Sequence, residues 1–323
     1  MSNEVTTPSK SSNKGIIAAV AVVVILAILY FVVTGVVNSK VEAKVVEAIE
    51  TIEQESDGDA IITYGSVNSS PFSNSATLSG VQVSSKEEGD IFKADSITVV
   101  MDGYSENERL PDTFSIAVEN LLILNEEVLA EMSTFADIDY REHPMDFEFG
   151  YDFSDSNNKL ATNLNWSTEG LSNFSHELTV SEVAGSWEAI QTAYQENQGN
   201  TEFSPAQRRA LESELQNVHF NSTMARYEND GEVELILDAI ARNNGVSADD
   251  LKAQILAGID QQLGDSDVAS EIRAFIDNPE QLSVSIEPEE PLSVEELTQV
   301  SMMLMMGATA EATKTLGLTV DAN

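Results

Sequence analysis

Residues Gly15–Val37 read GIIAAVAVVVILAILYFVVTGVV, 23 positions without a charged side chain. A helix rises about 1.5 Å per residue, so this run reaches across a hydrocarbon core of about 30 Å. It lacks the polar stripe that a helix in a soluble core keeps toward water. The expectation is a membrane-spanning helix over residues 15–37, with everything after it tethered to a bilayer. Lys10 and Lys14 precede the run and Lys40 and Lys44 follow it. The flanking charges tie, so the positive-inside rule does not orient the helix. A short polar tail, residues 1–14, ahead of a long downstream part fits an uncleaved signal anchor. That places the tail in the cytoplasm and the downstream part across the bilayer, on a single pass. Lys14-Gly15 before an apolar helix is also similar to a type IV prepilin processing site, but Val20 stands where such pilins usually carry Glu.

Charge sets the next bound. The chain carries 55 acidic and 16 basic residues, a formal −39. Residues 1–44 hold four Lys and two Glu, so residues 45–323 carry about −41. Phosphate contact needs clustered Lys and Arg, which excludes a nucleic-acid partner and disfavours docking on anionic headgroups. The acids are spread along the chain, as on the solvated surface of a salt-adapted protein, where screening weakens self-repulsion. A hydrophobic fraction of 42% with patterned segments argues against a disordered acidic tract. There is no Cys, which removes disulfides, thiolate metal sites and Cys nucleophiles.

The pattern divides the chain after the anchor into a helical stalk over residues 38–56, a β-rich region over 57–183 and a mainly helical region over 184–323 with two isolated strands. Val41, Val45, Val46, Ile49 and Ile52 recur at helical spacing. Strands are expected at 61–64, 76–83, 91–101 and 114–124, then a short helix capped by Asn125, then a meander over 145–183. Met145, Phe147, Phe149, Tyr151 and Phe153 give the cleanest period-two alternation. Ser204-Pro205, Ser247 and Ser293 read as helix starts, and Leu282, Val284 and Ile286 as a strand. The fold class expected is α+β: one N-terminal transmembrane helix, an antiparallel β-rich N-terminal half and a helical C-terminal half.

ITYGSVNSSPFSNSATLSGVQV and FKADSITVVMDGY complete a pattern of anchor, stalk and strands. With Phe72, Ser73, Leu78 to Val81 and Ala94 to Val99 carrying the cadence, residues 15–124 resemble the YdgA-like and AsmA-like bacterial envelope proteins. The resemblance implies a non-enzymatic envelope protein on a single pass of the bacterial inner membrane, N-terminus in the cytoplasm and C-terminal domain in the periplasm, handling lipid or supporting envelope integrity, and it supplies no catalytic residues. The long acidic C-terminal part departs from the repeated β-groove of large AsmA-like proteins.

Chemistry-bearing motifs are sparse. His176-Glu177 opens like a zinc-protease motif, but Val180 occupies the second His position. Asp152, Asp155, Asn157 and Asn158, and likewise Asp265 and Asp267, suggest calcium but break the EF-hand order at Lys159 and Ala269. Met302–Met306 offers soft thioethers for Cu(I), though Met more often fills a core or a forgiving interface. No phosphate-binding loop, dinucleotide fingerprint or nucleophile elbow is present. The expectation is therefore no enzyme, no catalytic residue, no cofactor and no metal. The one candidate site is an apolar ligand face of Phe147, Phe149, Tyr151 and Phe153. Its expected partners are the inner membrane through residues 15–37 and a lipid or an envelope protein. The alternative is an adaptor or scaffold subunit of an envelope, secretion or pilus complex.

Overall fold

The computed structural model describes residues 45–46, 49–51, 53–54, 56, 59–70, 74–86, 88–102, 111–132, 138–196, 203–264, 266–306 and 308–323. The tail at 1–14 and the expected anchor at 15–37 lie outside the described residues. Among the described residues, no helix is long and apolar enough to cross a membrane.

One antiparallel sheet of twelve strands organises the domain. Its strands are β1 (Ala60–Thr63), β2 (Ser66–Ser70), β3 (Ser75–Ser85), β4 (Gly89–Asp102), β5 (Thr113–Ile123), β6 (Met145–Ser154), β7 (Lys159–Thr168), β8 (Ser172–Ser181), β9 (His219–Asn229), β10 (Gln281–Ile286), β11 (Leu292–Ser293) and β12 (Leu318–Ala322). The hydrogen-bonded path is β1-β3-β4-β5-β6-β7-β8-β9-β10-β12, with β2 beside β3 and β11 beside β9. Neighbours in the chain are thus mostly neighbours in the sheet.

This corrects the expected fold class. The chain does not divide into a β half and a helical half, because β9 to β12 carry the same sheet to residue 322. Strand β9 pairs with β8 over ten residue pairs, and β10 pairs with both β9 and β12. The local pattern hides this continuity. Between β8 and β12 the helices α2 (Ala184–Glu196), α3 (Pro205–Leu215), α4 (Glu232–Asn244), α5 (Ala248–Leu263), α6 (Asp267–Asp277), α7 (Val294–Met305) and α8 (Thr309–Leu316) interrupt the strands. Earlier in the chain, among the described residues, α1 (Glu126–Met132) does so.

The alternation of the strands sorts side chains onto two faces. Ile62 on β1 stands opposite Val83, and Leu78 opposite Ile97. Ile97 in turn faces Val118, and Val118 faces Phe147. Val45 and Ile49, from the helical residues ahead of the sheet, join these positions in one core. Val45 and Ile49, within the stretch read as a stalk, therefore belong to the core of the sheet. At Gly80 the backbone takes φ +63°, a left-handed conformation open to Gly. The face parity of both β3 and β4 shifts there, and the partner edge of β3 passes from β1 to β2. A bulge at Asn120, φ +51°, re-sets β5 in the same way; its N–H donates to Asp146 Oδ1 at 2.8 Å.

The caps follow the sequence. Ser204 and Gln207 close a capping box on α3, Ser293 and Glu296 do the same on α7, and Ser247 caps α5. Asn125 Oδ1 accepts from the N–H groups of Glu127 and Val128 at the start of α1. At the far edge, Gly317 takes φ +59° and ends α8, and a Cβ there would collide with the carbonyl oxygen of Glu287. Gly317→Ala is expected to destabilise the protein by more than about 1 kcal/mol, since both conformation and space are lost. The loss should register as a lower urea midpoint with early hydrogen exchange in β12; an unchanged midpoint would contradict the packing described.

Candidate functional site

The four candidate residues share one face of β6, and the structure divides them into a closed end and an open end. At the closed end, Phe153 is buried and stacks on Trp187 of α2, with ring centroids 4.8 Å apart and planes at 19°. Trp187 also meets Tyr151 edge-on at 5.6 Å, and Tyr151 stacks on Phe114 of β5 at 5.6 Å. The Tyr151 hydroxyl donates to the Pro111 carbonyl at 3.0 Å. Aromatic pairs of these geometries add to the area they bury, so this end is core.

At the open end, Phe147 and Phe149 are half-buried, packed on one side against the β3–β5 core. Phe147 meets Trp166 of β7 edge-on at 6.1 Å, and Trp166 keeps 38% of its surface exposed. Its indole N–H is satisfied by Thr168 Oγ1 at 3.1 Å, so what it shows outward is the ring. The register carries the apolar row across the sheet: Phe147 faces Trp166, Trp166 faces Phe174, Phe149 faces Leu164. Leu164, Phe174 and Leu178 are all half-buried. The open stretch is thus broader than the four residues on β6. Sequence reading placed β7 and β8 but did not carry their alternation across to β6, which requires the pairing register. Trp187, from a separate helix, is the lid of the Phe153 end, a contact that no local pattern announces.

Beyond Phe174, the row ends on polar anchors. Tyr227 on β9 meets Phe275 of α6 edge-on at 6.2 Å and donates to Glu232 Oε2 at 2.9 Å. Tyr140 donates to the same carboxylate. His176 sits within the apolar row with Nε2 2.8 Å from Thr223 Oγ1. Thr223 Oγ1 also lies 2.9 Å from the Glu177 carbonyl oxygen, so it ties the His176 ring to the β8 backbone.

The opposite face is polar, and it dips where β5 to β9 pass side by side. A trough of about 440 Å³ lies there, with Glu119, Asp146, Glu148, Asn165, Arg226 and Glu228 among its lining residues. Arg226 pairs with Glu228, Glu119 accepts from Ser96, and Glu148 accepts from Asn165. The trough is lined from five strands, β5 to β9, brought together by register, which no local sequence pattern announces.

The remaining motifs fall into place as structure. His143, His176 and His219 lie on separate segments, and among the described residues no cluster of His, Asp and Glu is placed to hold a metal ion. Asp155–Asn157 is a 3-10 turn, and the left-handed Asn158 that closes it accepts from the Ala184 N–H and donates to Glu182. Ser266 caps α6 beside Asp267. Met302, Met305 and Met306 stand at the surface at the end of α7.

Burial, with Glu232 beside two of them, raises the pKa of Tyr140, Tyr151 and Tyr227 above the ordinary tyrosine range. A raised acid is held neutral by the fold. The associated stability is full below the unfolded tyrosine pKa of about 10 and is lost as pH climbs toward the folded values. Ultraviolet titration should show these three tyrosines ionising only as the protein unfolds in alkali. Ordinary titration of all the tyrosines in a folded chain would contradict the burial described.

A family model described as "Uncharacterized protein" matches residues 166–323, from the end of β7 through β12 and just under half of the chain. No curated protein matches the chain.

Proposed function

We propose that this chain is a non-enzymatic envelope protein, held at the bacterial inner membrane by residues 15–37, with its folded part in the periplasm. In this reading the open stretch of the apolar face accepts an acyl chain. The observation that carries it is the half-exposed aromatic row Phe147, Trp166 and Phe174, running across three strands beside a core that is already complete. Large apolar groups left half-wet in one contiguous row mark a surface built to be covered. The apolar run in the sequence and the resemblance to YdgA-like and AsmA-like envelope proteins support the same reading.

The polar trough favours a second reading. A concave polar surface bordered by carboxylates and amides fits an adaptor that holds a partner protein of the envelope.

Lipid analysis separates the two. The full chain, extracted in mild detergent and exchanged through lipid-free buffer, is expected to retain one lipid per chain. A Trp166→Glu chain is expected to lose it while keeping its fold, because that ring is exposed on one side. Wild-type protein that emerges folded and free of lipid would overturn the acyl-chain reading and leave the adaptor.

A further inference from the structure

Residues 297–310 read LTQVSMMLMMGATA, a run without charge in a chain that is 22% charged. The structure puts its middle at the end of α7. There Met302 is 52% exposed, Leu304 43%, Met305 82% and Met306 78%. Val300 of α7 and Ala312 of α8 are buried and the two helices contact each other, so the pair buries apolar side chains without these residues. We infer that this methionine tip is a contact surface for the hydrocarbon border of a lipid bilayer, through which the domain rests on the membrane that anchors it.

Two further observations point to lipid. The first is that polar groups of the tip are already satisfied. The Met306 N–H donates to the Met302 and Leu304 carbonyls, and the Ala308 N–H donates to the Met303 carbonyl at 2.9 Å. Ser301 Oγ donates to the Leu297 carbonyl at 2.9 Å, and Thr298 Oγ1 to the Val294 carbonyl at 2.8 Å. Entering hydrocarbon costs most where backbone or hydroxyl groups lose water without a partner, and these keep theirs. Met side chains are flexible and polarisable, suited to a soft, disordered medium.

The second is the length of the tether, and here the inference rests on the membrane-anchored reading. Val45 is fully buried in the sheet core. Only residues 38–44 separate it from the end of the apolar run, which allows at most about 25 Å of extended chain. A domain so closely held has its surface near the bilayer at all times. On a surface carrying about −41, an uncharged apolar tip is a place where contact buries no charge. The contact is thus apolar rather than electrostatic, and phosphatidylcholine suffices for it.

The chain has no Cys, so Met305→Cys gives a single site for an environment-sensitive fluorophore. Asn173→Cys, on the exposed polar face, is the control. Each full chain is reconstituted into phosphatidylcholine vesicles containing doxyl-labelled acyl chains. The Met305 label is expected to emit at blue-shifted wavelength and to be quenched by the acyl-chain doxyls, while the Asn173 label stays water-like and unquenched. Adding Met302→Asp and Met306→Asp should return the Met305 label to the behaviour of the control. Water-like emission at Met305 in a chain that stays with the vesicles overturns the inference and leaves the anchor intact. A blue shift without quenching assigns the tip to a protein neighbour or a second copy and also overturns it. A chain that washes off the vesicles removes the anchored reading, and the inference with it.

Discussion

Alternation along the strands is the constraint on which the rest depends. Each strand sends successive side chains to opposite sides, and ten strands hydrogen-bonded in one path keep that sorting in register across the whole width. Ile62, Val83, Leu78, Ile97, Val118 and Phe147 share a side only because every intervening register holds. At Gly80, where the buried face of β3 changes parity, and at the Asn120 bulge, residues with positive φ restore the sorting rather than break it. A slip of one residue in any central strand would send its apolar set into the acidic face.

The helices then decide which part of the apolar side is core. Val45 and Ile49 pack into the core of β1 to β5, and α2 closes the Phe153 end through Trp187. Helix α6 reaches the far strands and meets Tyr227 through Phe275. Between these covers the row from Phe147 to Phe174 stays half-open. The polar side balances this with serine, asparagine and carboxylate groups, and its cations are few enough that Arg226 is held by Glu228 and Gln281. Such a face depends on counterions, since mutual repulsion among the carboxylates grows as salt is removed.

Local chemistry was legible, and continuity was not. Ser204, Ser247 and Ser293 mark their helices by side-chain capping that requires no distant partner. The β6 to β8 meander shows itself because each strand is ten residues long and alternates cleanly. By contrast, Leu318–Ala322 is five residues, too short for a periodic signal, and it gains its identity from pairing with β10 far back in the chain. The candidate site was half legible for the same reason. Phe147 and Phe149 declare a face, but Trp166 and Phe174 join it only through cross-strand register, and Trp187 closes part of it from a separate helix.

The near coincidence of chain order and sheet order has a consequence for how the molecule is made. From β3 to β9 each strand emerges beside one already formed, so pairing needs no reservation of an edge for a segment still to come. A chain delivered N-terminus first can therefore zip its sheet as it arrives, with one growing edge exposed at any moment. Strand β12 lies at the end of the hydrogen-bonded path. The outward N–H of Ala322 is taken by Glu271 of α6 at 3.0 Å, and the Asn323 amide oxygen accepts from the N–H groups of Glu280 and Gln281. The Glu271 carboxylate thus occupies one N–H of an edge strand, and an edge whose donors are engaged recruits another chain less readily.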